Sequence, residues 1–297
     1  MRLKSDMILL FVAALWGTGF LAQRLATTQL NAFYFNGGRF LIAALVILLA
    51  TKFQKEPGRM ADPRILRHPI LWMSLAGALL FSAAGLQQVG LATTSIGNAS
   101  FITGLYVVLV PVILFVFLRQ QISWLSWFAV AVAGVGVALL GLQGHLRLAP
   151  GDILELIGAL LWALHVITVG WLARKGVNVL WFSIIQFATC AALNLVLAVA
   201  LDPGGAQGFI TAWPVVLYSA LFPISLGYTL QIVGQKYAPA LDAAILLSME
   251  DVFATVLAFI FFNEQLGPRQ VMGCALILAA TILAQLRVET PQVETVS

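Results

Sequence analysis

Arg39 and Glu250 each interrupt a long apolar run, the first within Phe33-Tyr34-Phe35-Asn36-Gly37-Gly38-Arg39-Phe40 and the second within Leu247-Ser248-Met249-Glu250-Asp251-Val252-Phe253. Counted from the ends of those runs at roughly 1.5 Å per residue, they lie about 12 Å and about 15 Å deep, near the middle of a hydrocarbon layer roughly 30 Å thick. A charge at that depth costs at least about 2.5 to 3.5 kcal/mol, so such groups face a cavity or pair with each other. A guanidinium and a carboxylate at one depth would form a central charge pair or clamp a ligand bearing both charges. They would equally serve as a permanent structural lock. Asp251 projects about 100° from Glu250 around a helix, so the two carboxylates point in different directions.

Other polar and aromatic residues recur in the apolar runs. Gln87, Gln231, Tyr106 and Tyr228 could hydrogen-bond a zwitterion without adding net charge, or hold helices together. Tyr228 stands three residues before Gln231 and shares its helical face. Trp16 and Phe20, four apart, and Trp162 offer ring faces that could enclose an apolar or aromatic group, or simply pack. His165, three residues after Trp162, titrates near neutral pH, and with Glu250 and Asp251 it forms the expected set of intramembrane proton-binding groups. No HExxH, GxxxxGK[ST] or aspartate-rich metal motif occurs, and Cys190 and Cys274 lie inside apolar runs without CxxC spacing. No metal, cofactor or enzymatic chemistry is therefore expected.

The elements that must position these residues are membrane spans. The 297 residues are 61% hydrophobic and 9% charged, with a mean hydropathy of +0.98, more apolar surface than a water-soluble core could hide. Windows of about 19 residues place helices near 7–26, 31–51, 70–91, 96–118, 123–142, 151–173, 178–201, 213–235, 240–262 and 267–286. The expected fold is thus an all-α integral membrane protein of ten transmembrane helices. The N-terminal stretch reads as its first helix and not as a removed signal.

With the N-terminus inside, twelve of the 16 Lys and Arg residues fall on the inner side, among them Arg2, Lys52, Lys55, Arg59, Arg174 and Lys236, and Arg24, Arg147 and Arg269 fall outside. The positive-inside rule then places both termini in the cytoplasm of a multi-pass protein of the cell inner membrane. The basic, proline-punctuated break from Lys52 to Pro69 is a cytoplasmic loop within one membrane domain, residues 1–297.

A repeat runs through that domain. Shifting the chain by 144 positions lays Leu86-Gln87-Gln88-Val89-Gly90 on Leu230-Gln231-Ile232-Val233-Gly234 and Gln121-Ile122 on Gln265-Leu266, and a shift of 146 lays Trp16 on Trp162. Tyr106 thereby corresponds to Glu250. Two repeats, 6–142 with helices 1–5 and 151–287 with helices 6–10, are expected before a tail at 288–297. Five helices per repeat give opposite orientations, the arrangement with which alternating-access carriers expose a midplane site to either side in turn.

The residues Leu15-Trp16-Gly17-Thr18-Gly19-Phe20, Gly38-Arg39-Phe40, Gly151-Asp152, Leu247-Ser248-Met249-Glu250-Asp251-Val252-Phe253-Ala254, Phe262-Asn263-Glu264-Gln265-Leu266 and Gly273 resemble the EamA-type branch of the drug/metabolite transporter superfamily. The resemblance implies helices 1–4 and 6–9 around a central cavity, with 5 and 10 peripheral. It also implies a secondary carrier of amino acids or related metabolites, commonly an exporter. Neutral or aromatic amino acids are the expected substrates, with a drug, hydrophobic-cation or lipid-precursor carrier as the alternative. The family often has proline directly after the ninth-helix glutamate. Asp251 stands there instead, so a kink at that point is not assured. Expected partners are a small-molecule substrate and membrane lipids, with no nucleic acid. The small-residue spacings Gly134/Ala138 and Ala275/Ala279 suit packing or a weak dimer of an otherwise monomeric chain.

Overall fold

A computed structural model describes residues 2–53, 59–94, 96–141, 150–262 and 267–285. Lys55, Arg147, the Asn263-Glu264-Gln265-Leu266 motif and the expected tail 288–297 lie outside the described residues. Among those described, every regular element is a helix.

The first half comprises α1 (Arg2–Ala26), α2 (Ala32–Thr51), α3 (Pro69–Gly90), α4 (Ile96–Gly104), α5 (Tyr106–Val116) and α6 (Trp124–Gly141). The second comprises α7 (Pro150–Arg174), α8 (Val179–Leu201), α9 (Phe209–Ser219), α10 (Thr229–Gln235), α11 (Ala240–Leu247), α12 (Met249–Phe262) and α13 (Pro268–Gln285). A 3₁₀ turn at Gly205–Gly208 leads into α9, and a π-helical stretch, Ala220–Tyr228, joins α9 to α10. Eight of the resulting stretches are long and apolar enough to cross a membrane, and the shorter apolar helices α6 and α13 bring the number among the described residues to ten. In two of the spans the helix is interrupted, so α4 with α5 and α11 with α12 each make one crossing.

Packing follows the inverted repeat. The matched second helices, α2 and α8, pack on each other, as do the matched fifth helices, α6 and α13. The α3–α7 contact has its counterpart in α1 against the α9–α10 span, and α1 against α12 has its counterpart in α7 against α4 and α5. At the α6–α13 crossing, a Cβ on Gly136 would lie 2.9 Å from Gly273 O and one on Gly273 would lie 2.7 Å from Gly136 O. The bare glycines let these backbones touch, which is how helices associate where lipid is as apolar as leucine. Gly134 packs against Val108 of α5, so this small residue is occupied inside the chain.

Local sequence explains the helix ends. Asn31 and Asn178 open α2 and α8, their side chains accepting from Phe33 N and from Leu180 N and Trp181 N, which satisfies otherwise orphaned donors. The first span starts earlier than expected, at Arg2, because Ser5 and Asp6 are buried and Arg2 bonds Asp242 at 2.9 Å. The eighth span also starts earlier, at 205 instead of 213. Phe209 there packs edge-on against Tyr34 with ring centres 6.1 Å apart.

The fourth and ninth spans break within one residue of matched places, at Leu105 directly before Tyr106 and at Ser248 directly before Met249-Glu250. The ninth span is thus interrupted at Ser248, without a proline. Leu105 N bonds Ile102 O and Asp251 N bonds Ser248 O, i to i−3 bonds that tighten each turn. Such breaks are tolerated at membrane depth where they are buried in protein or line a cavity.

Candidate functional site

A cavity of about 530 Å³, counting the space at its open mouth, lies between spans 1–4, 6, 8 and 9. It is displaced toward the membrane face at which α1 and α3 end. Gln23 lies near the end of α1 and Gln87 near the end of α3.

Arg39 is buried, and its guanidinium lies over the rings of Phe35 and Phe40, 4.6 and 5.4 Å from their centres. Its Nε has no hydrogen-bond partner and, among the described residues, it forms no ion pair. Two aromatic faces hold the cation in place and leave its donors for something else. Glu250, on the first turn of α12, lines the same cavity. The two do not form a salt bridge; the ion pair found among the described residues is Arg2–Asp242. Of the arrangements that depth alone left open, the direct charge pair is absent, and Arg39 stacks on Phe35 and Phe40 of the α2 wall.

Tyr106 lies beside Glu250, yet its hydroxyl makes no well-formed hydrogen bond. Asp251 turns away, as the helical spacing requires, and accepts from Ser100 of α4. Tyr228 is the aromatic hub of the cavity wall, with ring centres of Trp16, Phe40, Trp162, His165 and Phe187 between 4.8 and 6.3 Å away. Trp16 donates its indole hydrogen to Pro223 O at 3.1 Å, so the π-helical stretch that holds Pro223 also fixes Trp16.

Eight of the ten residues expected to contact substrate line the cavity: Trp16, Phe20, Arg39, Gln87, Tyr106, Trp162, Tyr228 and Glu250. His165 and Gln231 do not. His165 is fully buried and bonds Gln186 at 3.3 Å behind the aromatic wall, and Gln231 lies one turn below Tyr228, with neither amide atom partnered. Gly19, Gln23, Thr103, Val166, Pro223 and Ile224 complete the lining and were not anticipated as contacts. Pro223 carried a sequence signal, being a proline inside a span; Thr103 and Val166 carried none.

Sequence reading also missed Glu155, a fully buried carboxylate on the second turn of α7. It accepts from Thr103 at 3.0 Å, and Thr103 accepts from Gln87 at 3.1 Å. Its closeness to the start of the helix made it look interfacial. Asp152, one turn earlier, accepts from Thr94, and Arg24 donates to Leu91 O at 2.7 Å and Thr94 O at 3.4 Å. These bonds tie α1, the end of α3 and the start of α7 together. Charge-assisted bonds of this kind are worth about 1.5 to 3 kcal/mol each.

Residues 3–142 and 149–286 each match the EamA-like transporter family. Over 97% of its length the chain is 31% identical to an uncharacterized transporter of Archaeoglobus fulgidus, covering 87% of that protein. It is 28% identical to the threonine/homoserine exporter RhtA of Escherichia coli K12, over 82% of this chain and 80% of that one. A solved crystal structure superposes with a TM-score of 0.77 over 96% of this chain and 98% of that one, at 19% identity, a likeness of fold.

Proposed function

The chain belongs to the EamA-like transporter family, and from that premise we propose that it is a secondary carrier exporting neutral or aromatic amino acids and related compounds. One observation carries the substrate reading. An unpaired guanidinium and a carboxylate face a single aromatic cavity without neutralising each other. A zwitterion supplies the two missing partners, its carboxylate for Arg39 and its ammonium for Glu250. The rings around Tyr228 then enclose the side chain. The relative that exports threonine and homoserine supports the same class.

Alternating access follows from the inverted halves, whose matched breaks before Tyr106 and Glu250 allow each half-span to move about the cavity. Glu250 is the candidate for proton coupling within the cavity, with Asp251 and His165 behind its wall. The basic loops support a reading with both termini in the cytoplasm and the chain in the inner membrane. The chain acts as a monomer or weak dimer on a small-molecule substrate among lipids. A hydrophobic-cation carrier is the second reading, favoured by the ring cluster, since Glu250 among aromatics also suits a cation without a carboxylate.

Counterflow in proteoliposomes separates the two. Preloaded amino acid is expected to drive saturable uptake of labelled amino acid, with the rate lost in Glu250→Gln. Movement of hydrophobic cations without amino-acid exchange would replace the first reading by the second.

A further inference from the structure

We propose that Glu155 is a further proton-coupling site of this carrier, additional to Glu250 and reached from the cavity through Thr103 and from the adjoining bundle end through Asp152. The inference rests on the carrier reading above. Glu155 has no exposed surface, and its Oε2 receives one hydrogen bond, from Thr103. Its Oε1 is buried without a partner, close against Gly90. An ionised carboxylate can accept about four hydrogen bonds, and here it has one.

Among the described residues, the surroundings of Glu155 offer no compensating charge. On α7 itself the nearest ionisable group is Asp152, one turn away and of the same sign. From α3 the amide of Gln87 and from α4 the hydroxyl of Thr103 face it, while Gln88 bonds Gln23 O of α1 and Ser100 bonds Asp251 of α12. The titratable groups on α5 and α11 are Tyr106, beside Glu250, and Asp242, bonded to Arg2, while α10 has none. Arg24 of α1 is engaged by Leu91 O and Thr94 O. Among the described residues, no cation forms an ion pair with Glu155. A lone buried charge of this kind is neutralised by binding its counterion, and a proton on Oε1 needs no more room than the structure provides.

Both routes to water are visible. Thr103 and Gln87 line the cavity, so cavity water adjoins the carboxyl whenever the cavity opens toward the chain termini. Parting Thr94 from Asp152, and Arg24 from its carbonyls, admits water from the other face to the turn directly beside Glu155. The proton arrives from water on one side and leaves to water on the other, while Thr103 remains the donor to Oε2. Because the buried form requires the proton and the hydrated form does not, proton binding and conformation are linked.

The test uses purified protein in proteoliposomes with labelled L-threonine. In wild type, a one-unit pH gradient is expected to support up to about tenfold accumulation for one proton per substrate. Glu155→Gln is expected to keep counterflow within about twofold and to lose the gradient-driven accumulation. Retained accumulation in that variant, a wild type that ignores the gradient, or a response requiring sodium instead of pH would each overturn the proposal. If wild type exchanges no threonine, the substrate reading fails separately, and infrared spectra after a pH step decide the site without substrate. A protonated carboxyl band absent from Glu155→Gln, and shifted in Thr103→Val, supports it. A band unchanged in either variant overturns it.

Discussion

The cavity ends differently on its two repeat-related sides. Beside α7, Gln87, Thr103 and Glu155 form a continuous hydrogen-bonded chain. The same shifts of 144 and 146 that superimpose the repeats place Gln231, Leu247 and Leu9 at the matching positions, all without exposed surface. There the amide of Gln231 has no partner, and the two leucines pack in the main apolar core. One end is closed by polar bonds and the other by apolar contact. Repetition therefore sets where helices cross, and departures from it supply the chemistry.

The tightest contact offers the largest expected effect. Gly17 of α1 meets α12 so closely that a Cβ would lie 2.6 Å from that of Phe253 and 3.1 Å from Glu250 O, whereas its repeat partner Ala163 keeps a fully buried methyl. Gly17→Ala should cost about 1 to 3 kcal/mol as overpacking, read as a lowered melting temperature in detergent, and should displace Glu250. Ala163→Gly should cost only about 0.5 to 1 kcal/mol. Equal losses would mean that the α1–α12 and α7–α4 contacts are alike after all.

The glutamines come next, with opposite signs. Gln87→Leu should destabilise by about 1 kcal/mol, since it removes the donor to Thr103. Gln231→Leu should leave the melting temperature unchanged or raise it, since its amide is already unsatisfied. A loss in Gln231→Leu matching that in Gln87→Leu would erase the distinction between a polar and an apolar end.

The tryptophans give the smallest difference. Trp16→Phe forfeits the bond to Pro223 O, worth about 1 kcal/mol, while Trp162→Phe forfeits none because its indole nitrogen is unpartnered. Comparison of the two melting curves checks this.

The spans, the repeat and the family were legible because long apolar runs and glycine-rich motifs are local signals. The membership of Arg39 and Glu250 in one cavity was legible from depth. Their separation was not, because it depends on Phe35 and Phe40 capturing the guanidinium, a tertiary choice that periodicity does not encode. His165 and Gln231 occupy the expected spans but face Gln186 and the closed apolar end, since residue type does not fix rotation about a helix axis. Glu155 was overlooked for the converse reason. Near a helix start, a carboxylate usually reaches water, and only the packing of α3 and α4 over α7 buries it.

In the proposed carrier, Arg39 and Glu250 hold the two charges of one zwitterion. Competition against labelled L-threonine counterflow by threonine methyl ester, which lacks the carboxylate, and N-acetylthreonine, which lacks the ammonium, tests it most directly. Both analogues should compete at least about tenfold more weakly than threonine, and Arg39→Gln should abolish the discrimination against the ester. Equal competition by the ester and by threonine in the wild type would contradict it.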